Sequence, residues 1–478
     1  MKLNLRKTVV FMLAISMLVA VLTACGSSST KDTPEPTAAP TQAAAKEEDK
    51  EPVATPEPTE IPRDLKGITV TVSDWWTTDP NAEPTNQRDE DTLAYREEMM
   101  QKYNFTITRA NIGAWTEYQE IVVSSIMSGA PAADVMMMDY RFMSAPLQQG
   151  LLYPLNTLES FDFTEEKWNQ QVLNLYAKDG DYYGMASGKP EPRLGVFWNK
   201  RLFEEAGINP DEPYDLQAKG EWTWQNFENL CKKLTRDINS DGVMDVYGIS
   251  SFSVDFFRGC VFSNNAQFIG YKDGKYYNAT SEPNFLEALE WGRGIYDKGY
   301  HMPKPETATE WNWFISTFLE GKVAMQCAEE YMVSTWKDME DDWGFVMFPK
   351  GPKGEMMTLF TENVAIMAYN LEKEKAEDIA FAYNIYTNVT PGYENEDWKE
   401  PFYPVFRDTR AVDETLPLFY EPQHGTMSYL DVVPGIGYGD ITYDLDAGAI
   451  TPAEAVEKVQ GLWTSFIDAA NGEAAVTQ

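Results

Sequence analysis

The sequence predicts an α/β protein of two lobes, each a sheet flanked by helices. Three observations lead there. Short β-branched segments alternate with segments of helical periodicity, the pattern of a sheet with largely parallel strands. The chain has 478 residues, too many for one ordinary core. Apolar residues make up 43% of it and aromatic ones 13%, a globular composition.

The folded part opens at Arg63. Ile68, Val70 and Val72 alternate with Thr69, Thr71 and Ser73, the period of two that marks a strand, and this strand ends in Asp74-Trp75-Trp76. A helix is expected from about Asp89 to Lys102, then a second strand from Phe105 to Arg109. Trp115, Tyr118, Ile121, Val122, Ser125 and Ile126 stand at helical spacing, and Gly129-Ala130-Pro131 stops that helix. Asp134 to Tyr140 reads as a buried strand, in which a methionine run is flexible core filler. Further on, Val196 to Lys200 are strand-like and Arg201 begins a short helix ended by Gly207. Thr223 caps a helix whose apolar stripe is Phe227, Leu230, Cys231 and Leu234. Ligands of such sheets bind beyond the carboxyl ends of strands, where Trp75, Trp76, Asp139 and Tyr140 lie.

The ends set expectations about compartment. Lys2, Arg6 and Lys7 precede an apolar run from Val9 to Leu22, shorter than the ~20 residues of a membrane span, so residues 1–24 read as an export signal. Leu22-Thr23-Ala24-Cys25 followed by Gly26 and three serines resembles a bacterial lipobox, which implies lipid on Cys25 and anchoring at the outer face of a membrane. Residues 26–62 hold seven prolines and no aromatic residue, so 25–62 reads as a lipidated, disordered tether spanning roughly 30–40 Å. Loss of Lys2, Arg6 and Lys7, with no acidic residue beside them, would take the net charge from −36 to −39. So acidic a chain argues against nucleic acid and against anionic ligands in general. Cys231, Cys260 and Cys327 are expected as buried free thiols, and two histidines cannot build a histidine-rich zinc site.

One loop has metal-ligand spacing. Asp237, Asn239, Asp241, Gly242 and Asp245 occupy positions one, three, five, six and nine of a calcium loop, with the carbonyl of Val243 at seven. Position twelve is Gly248, where a sensor would carry a bidentate Glu. The reading is one structural Ca2+ that pins a helix to the next strand; the alternative is a plain acidic turn.

Several blocks, taken in order, carry a resemblance. They are the strand-ending WW, YQEIVVSSIMSGAPAADVMMMD, QGLLYPLN, DGDYYGM and GVFWNKRLFEEAGI, then EWTWQNFENLCKKLTRDINSDGVMDVYGI, FLEGKVAMQ and FVMFPKGPKGE. Together with ITPAEAVEKVQGLW near the end, this order resembles the extracellular solute-binding proteins of bacterial ABC importers, family 1, the carbohydrate-binding branch. Trp198 departs from the tyrosine that family often has there. The resemblance implies a two-lobed periplasmic-binding-protein-like fold with hinge crossings near Ala186–Arg193, Met325–Cys327 and Thr361–Asn363. Lobe one is then 65–187 plus 326–362, and lobe two 188–325 plus 363–472. It implies a monomeric, lipid-anchored receptor on the extracellular face of the cytoplasmic membrane, partnered by ABC permease subunits and not an enzyme.

A sugar presents a face of C–H groups and an edge of hydroxyls, which aromatic rings and carboxylates, amides or arginine suit respectively. Candidate ligand-binding residues are therefore Trp75 and Trp76, Asp139 and Tyr140, Glu191 and Arg193, Asp255, Phe256 and Arg258, Trp311 and Trp313, and Glu330 and Tyr331. Each also has a plainer reading. Adjacent Trp75 and Trp76 point to opposite faces, so one is core; Asp139 serves equally as a cap; Trp313 fits a helical core stripe with Phe314 and Phe318. A sugar or oligosaccharide is the expected ligand, with a peptide or other polar solute as the alternative. A surface glycoside hydrolase would need two carboxyl groups at a set separation, and no pair stands out.

Overall fold

The computed structural model describes residues 63–189, 191–310, 312–336, 339–394 and 397–472. All of them belong to one compact unit spanning Ile61–Gln478. The expectations for 1–24, Cys25, the tether to residue 62 and Trp311 fall outside the described residues, as does the side chain of Glu191.

The alternation of Ile68, Val70 and Val72 produces the strand Ile68–Asp74, which pairs in parallel with Phe105–Asn111 on one side and Val135–Met138 on the other. Val364–Ile366 completes this first sheet, antiparallel to Val135–Met138. Successive side chains take opposite faces. Val135, Ala365, Val70 and Val72 pack with helix Lys373–Tyr386 on one face, while Met136, Met138, Val364 and Ile366 meet Tyr118, Val122 and Ile126 of helix Trp115–Met127 on the other.

The second sheet runs Trp343–Met347, Gly195–Asn199, Val323–Ala328, Tyr247–Ser251. Its core takes in helices Trp224–Leu234, Ser253–Ser263, Pro283–Asp297 and Pro452–Ala470. Thr223 caps the first of these by accepting from the Asn226 amide, as its sequence position suggests. Two glycines allow close approach: a Cβ at Gly195 would collide with the Phe345 ring, and one at Gly344 with the Trp198 indole. Trp198 is wholly buried, its Nε1 donating to the Pro210 carbonyl at 2.7 Å, so it is a core residue. Cys231, Cys260 and Cys327 are buried free thiols.

A small third sheet, made of Glu191–Arg193, Thr358–Thr361 and Gly425–Thr426, carries the chain's passages between the halves. The chain leaves the first half through Glu191–Arg193 and returns to it through Thr358–Thr361, two antiparallel neighbours. It enters the second core again by Phe406.

This corrects the expected exchange of segments between lobes. Val323–Ala328 bonds to Gly195–Asn199 and to Tyr247–Ser251 at the centre of the second sheet, so Met325–Cys327 is not a crossing. Residues from 326 through Trp343–Met347 therefore belong to the second half, and Val364–Ile366 with Lys373–Tyr386 belong to the first. Both neighbours of Val323–Ala328 are strands of the second sheet, so the segment lies inside that half along its whole length.

Candidate ligand site

The first half contributes the ends of its two central strands. Asp74, fully buried, accepts from the Trp76 amide at 2.9 Å and from Arg109 Nη2 at 2.6 Å, which fixes the turn carrying both tryptophans. Trp75 turns inward, edge-on to Tyr118 at 5.2 Å. Trp76 lies nearly perpendicular to it, 40% exposed, with the Arg109 guanidinium 5.4 Å from its ring centre. On this turn one indole packs half-buried against the core and its neighbour is open.

At the end of Val135–Met138, Asp139 caps the short turn Tyr140–Phe142. It accepts from the Arg141 amide at 2.9 Å, from Arg141 Nη2 at 2.6 Å and from Trp115 Nε1 at 3.0 Å. Burial works against its charge, yet the Arg141 contacts outweigh it and hold the carboxyl below its usual range. Arg141 in turn lies 4.9 Å over the exposed Trp115 ring. Tyr140 is buried, and its phenol is pushed up to about 12 chiefly by that burial.

The second half supplies the opposing wall. Asp255 and Arg258 lie one turn apart on Ser253–Ser263 and pair at 2.6 Å. Glu329, just past the strand Val323–Ala328, accepts from Arg258 Nη2 at 2.9 Å and from Arg193 Nη1 at 2.8 Å. Arg258 also donates to Tyr140 Oη at 3.0 Å, joining the halves. Burial opposes the charge on Glu329, but Arg193 and Arg258 prevail and bring its carboxyl to about 2. Asp255 moves the other way, up to about 6, because burial outweighs the pull of Arg258. Arg193 stands 5.2 Å over the ring of Tyr331, itself 49% exposed.

A third element completes the wall. The turn Tyr429–Val432 brings Asp431 beneath Tyr438, whose hydroxyl donates to it at 3.0 Å; burial raises this carboxyl to about 6. Asp431 and Ser428 line a narrow cavity with Tyr140, Gln171, Tyr176 and Glu362.

Of the residues expected from sequence, Asp139, Tyr140, Arg193, Asp255, Arg258 and Tyr331 gather around this network, and Trp76 presents an open face at the neighbouring strand end. Glu330 opens the turn Glu330–Met332 and is half-buried. Phe256 is a correction: it is fully buried among Phe257, Trp291, Tyr296 and Phe348. On a helix it points about 100° away from Asp255, into the core. Trp313 precedes helix Phe314–Leu319 and sits edge-on to Phe314 at 6.3 Å, a packing position. Sequence reasoning missed Trp115, Arg141, Ser428 and Asp431. For Arg141 the signal was present, since it flanks the expected strand end, whereas Trp115 was read only as the start of a helical stripe; the Ser428–Asp431 segment carried none.

The acidic loop joins helix Trp224–Leu234 to strand Tyr247–Ser251. Asp237 accepts from the Gly242 amide at 2.8 Å, Asp241 from Val243 at 2.8 Å, and Asp245 from Ile238 at 2.7 Å. Asn239 accepts from Asp241 at 2.8 Å. The carboxylates thus face the loop's own amides, and among the described residues no three acidic, His or Cys side chains converge on one point.

A family model described as bacterial extracellular solute-binding protein matches residues 94–389, more than half the chain. The chain belongs to that family. No curated protein matches this solute-binding protein. Solved structures do. An ABC substrate-binding protein from Listeria monocytogenes in complex with cycloalternan is 19% identical, with a TM-score of 0.58 over 85% of this chain and 100% of its own. A cyclic alpha-maltosyl-1,6-maltose binding protein from Arthrobacter globiformis is 18% identical, with a TM-score of 0.60 over 85% and 100%. UgpB from Mycobacterium tuberculosis in complex with glycerophosphocholine is 16% identical, with a TM-score of 0.62 over 84% and 98%. At these identities the likeness shows the two-lobed fold of this solute-binding protein. Family and neighbours alike are binding proteins, and among the described residues no helix is long and apolar enough to cross a membrane.

Proposed function

We propose that this solute-binding protein captures an uncharged sugar or oligosaccharide between its halves and delivers it to an ABC permease. The observation that carries this reading is the pairing of Arg141, Arg193 and Arg258 with Asp139, Glu329 and Asp255 beside the open faces of Trp76, Trp115 and Tyr331. Guanidiniums already neutralised by carboxylates give an anion little to bind, whereas the same fixed dipoles suit hydroxyls and the rings suit a C–H face. The saccharide ligands of two of the neighbours, cycloalternan and cyclic alpha-maltosyl-1,6-maltose, agree with it. Closure is a hinge motion about the small third sheet, and a ligand touching both walls favours the closed form.

The Leu22–Cys25 motif supports lipid anchoring through Cys25, and the acidic loop supports one structural Ca2+. Its donors are oxygens of Asp237, Asn239, Asp241 and Asp245 and the Val243 carbonyl, the hard ligands calcium prefers, and binding would draw carboxylates now turned onto amides toward a common centre. EDTA should then lower the melting temperature and leave solute affinity nearly unchanged; a large loss of affinity would contradict a purely structural ion.

Thermal-shift screening against neutral saccharides, sugar acids, peptides and a glycerophosphodiester tests the reading. A rise in melting temperature confined to neutral saccharides, with no product formed from them, is expected. A rise with peptides or sugar acids alone, or release of hydrolysis products, would replace it.

A further inference from the structure

Asp431 and Glu362 bring a carboxyl group from each side to a cavity of about 10 Å³, room for a single water. Glu362 stands where the chain passes from Thr358–Thr361 into Val364–Ile366 of the first sheet, and Tyr140, Gln171 and Tyr176 of the first half line the same space. Asp431 belongs to the opposite wall. Its neighbours Leu430 and Val433 pack into the second core, and the Tyr438 hydroxyl donates to it at 3.0 Å from that side. The cover over this carboxyl is therefore completed by a half to which it is not bonded.

Acceptors outnumber donors here. Gln171 Oε1 is buried and meets no donor among the described residues. The Tyr176 hydroxyl is spent on the Tyr140 carbonyl at 3.2 Å, and the Tyr438 hydroxyl is shared between Asp431 and Ser428. The guanidiniums that reach Asp431 are Arg258 on Ser253–Ser263 and Arg141 on Tyr140–Phe142, and both are paired already, with Asp255 and Glu329 and with Asp139. The strand Ile269–Lys272 meets the turn through Tyr271, whose ring lies on Tyr429 at 5.3 Å. A proton on Asp431 would turn one acceptor into a donor and remove one of two like charges facing the cavity.

We propose that Asp431 is a proton-operated latch between the halves: protonated, it sits against Gln171 and Glu362 in the closed form; ionised, it favours their separation. The inference rests on closure about the third sheet and not on which solute is bound. Burial holds this carboxyl up at about 6 in the closed form, and opening would admit water and return it toward its ordinary 3.8. The closed form then binds the proton more tightly than the open one. Its advantage is complete below pH 3.8 and is lost as pH rises through about 6. That interval limits the change in the ratio of closed to open protein to about a hundredfold. A solute that prefers the closed form is accordingly held more tightly in acid than at neutral pH.

Small-angle scattering of the full chain without solute, at constant ionic strength from pH 5 to 7.5, tests this. Wild type should open as pH rises, its radius of gyration increasing and returning on reacidification, while Asp431→Asn keeps the compact value throughout. Glu362→Gln should open less and at a higher pH than wild type, because ionised Asp431 then faces one charge fewer. Circular dichroism should show all three folded; if Asp431→Asn is not, the Glu362→Gln comparison decides. A wild-type radius independent of pH, parallel curves for wild type and Asp431→Asn, or a Glu362→Gln curve identical to wild type would each overturn the latch. Tyr140→Phe at pH 5 separates this from a failure of closure itself. If that variant opens while wild type ignores pH, only the latch fails; if both stay compact at every pH, the halves do not move and the latch fails with closure.

Discussion

Arg258 Nη1 donates to Tyr140 Oη at 3.0 Å across the junction of the two halves. The donor sits on a helix packed into the second core, and the acceptor on a turn at the end of a strand of the first sheet. Arg258 remains paired with Asp255 and Glu329 inside its own half, so this bond can break without stranding a charge. Tyr140→Phe should therefore cost only about 1 kcal/mol of stability while biasing the unliganded protein open. Small-angle scattering should record a larger radius of gyration for the variant without ligand and the wild-type value with it. An unchanged curve would mean that the bond does not hold the halves together.

Removing the arginine itself is a different matter. Arg258→Ala leaves Asp255 and Glu329 buried with part of their compensation gone, a loss of about 3–5 kcal/mol by analogy with other broken buried pairs. Urea unfolding should show the midpoint fall far below that of Tyr140→Phe. Similar midpoints for the two variants would contradict the burial of this network.

Asp431 gives a pH signature. Its carboxyl rises from 3.8 to about 6, first through burial, with Arg258, Tyr438, Ser428 and Arg141 opposing. The folded state then binds a proton more tightly than the unfolded one, so the stability this group contributes is complete below pH 3.8 and is lost as pH rises through 6. Melting temperatures between pH 3.8 and 7 should fall more steeply for wild type than for Asp431→Asn. Parallel curves would show that Asp431 is not perturbed.

The adjacent tryptophans should separate stability from binding. Trp75→Ala removes a ring packed on Tyr118 and should cost about 2–3 kcal/mol, less than a fully buried tryptophan. Trp76→Ala should stay within about 0.5 kcal/mol of wild type and weaken the ligand roughly tenfold. Equal effects on both properties from both substitutions would remove the division of labour between the two indoles.

Much of this was legible in the residues. Alternation at Ile68–Val72 located the first strand, and strand-end logic led from it to Trp76, Asp139 and Tyr140. Asp255, Phe256 and Arg258 were candidates together, and only the helix Ser253–Ser263 separates them, putting Asp255 and Arg258 on one face and Phe256 in the core. Strand partners are long-range choices, and nothing local in Val323–Ala328 or Val364–Ile366 says which sheet each will join. The Ser428–Asp431 wall was illegible for the same reason. Its residues acquire a role only because a turn more than 280 positions from Tyr140 is brought beside it.

The account rests on an uncharged polyhydroxylated solute bound between the halves, and isothermal titration of the wild-type protein with neutral oligosaccharides tests it most directly. Saturable one-to-one binding to at least one of them, with no comparable heat from anionic solutes, is the predicted result. Silence from every neutral saccharide together with tight binding of an anion would contradict it.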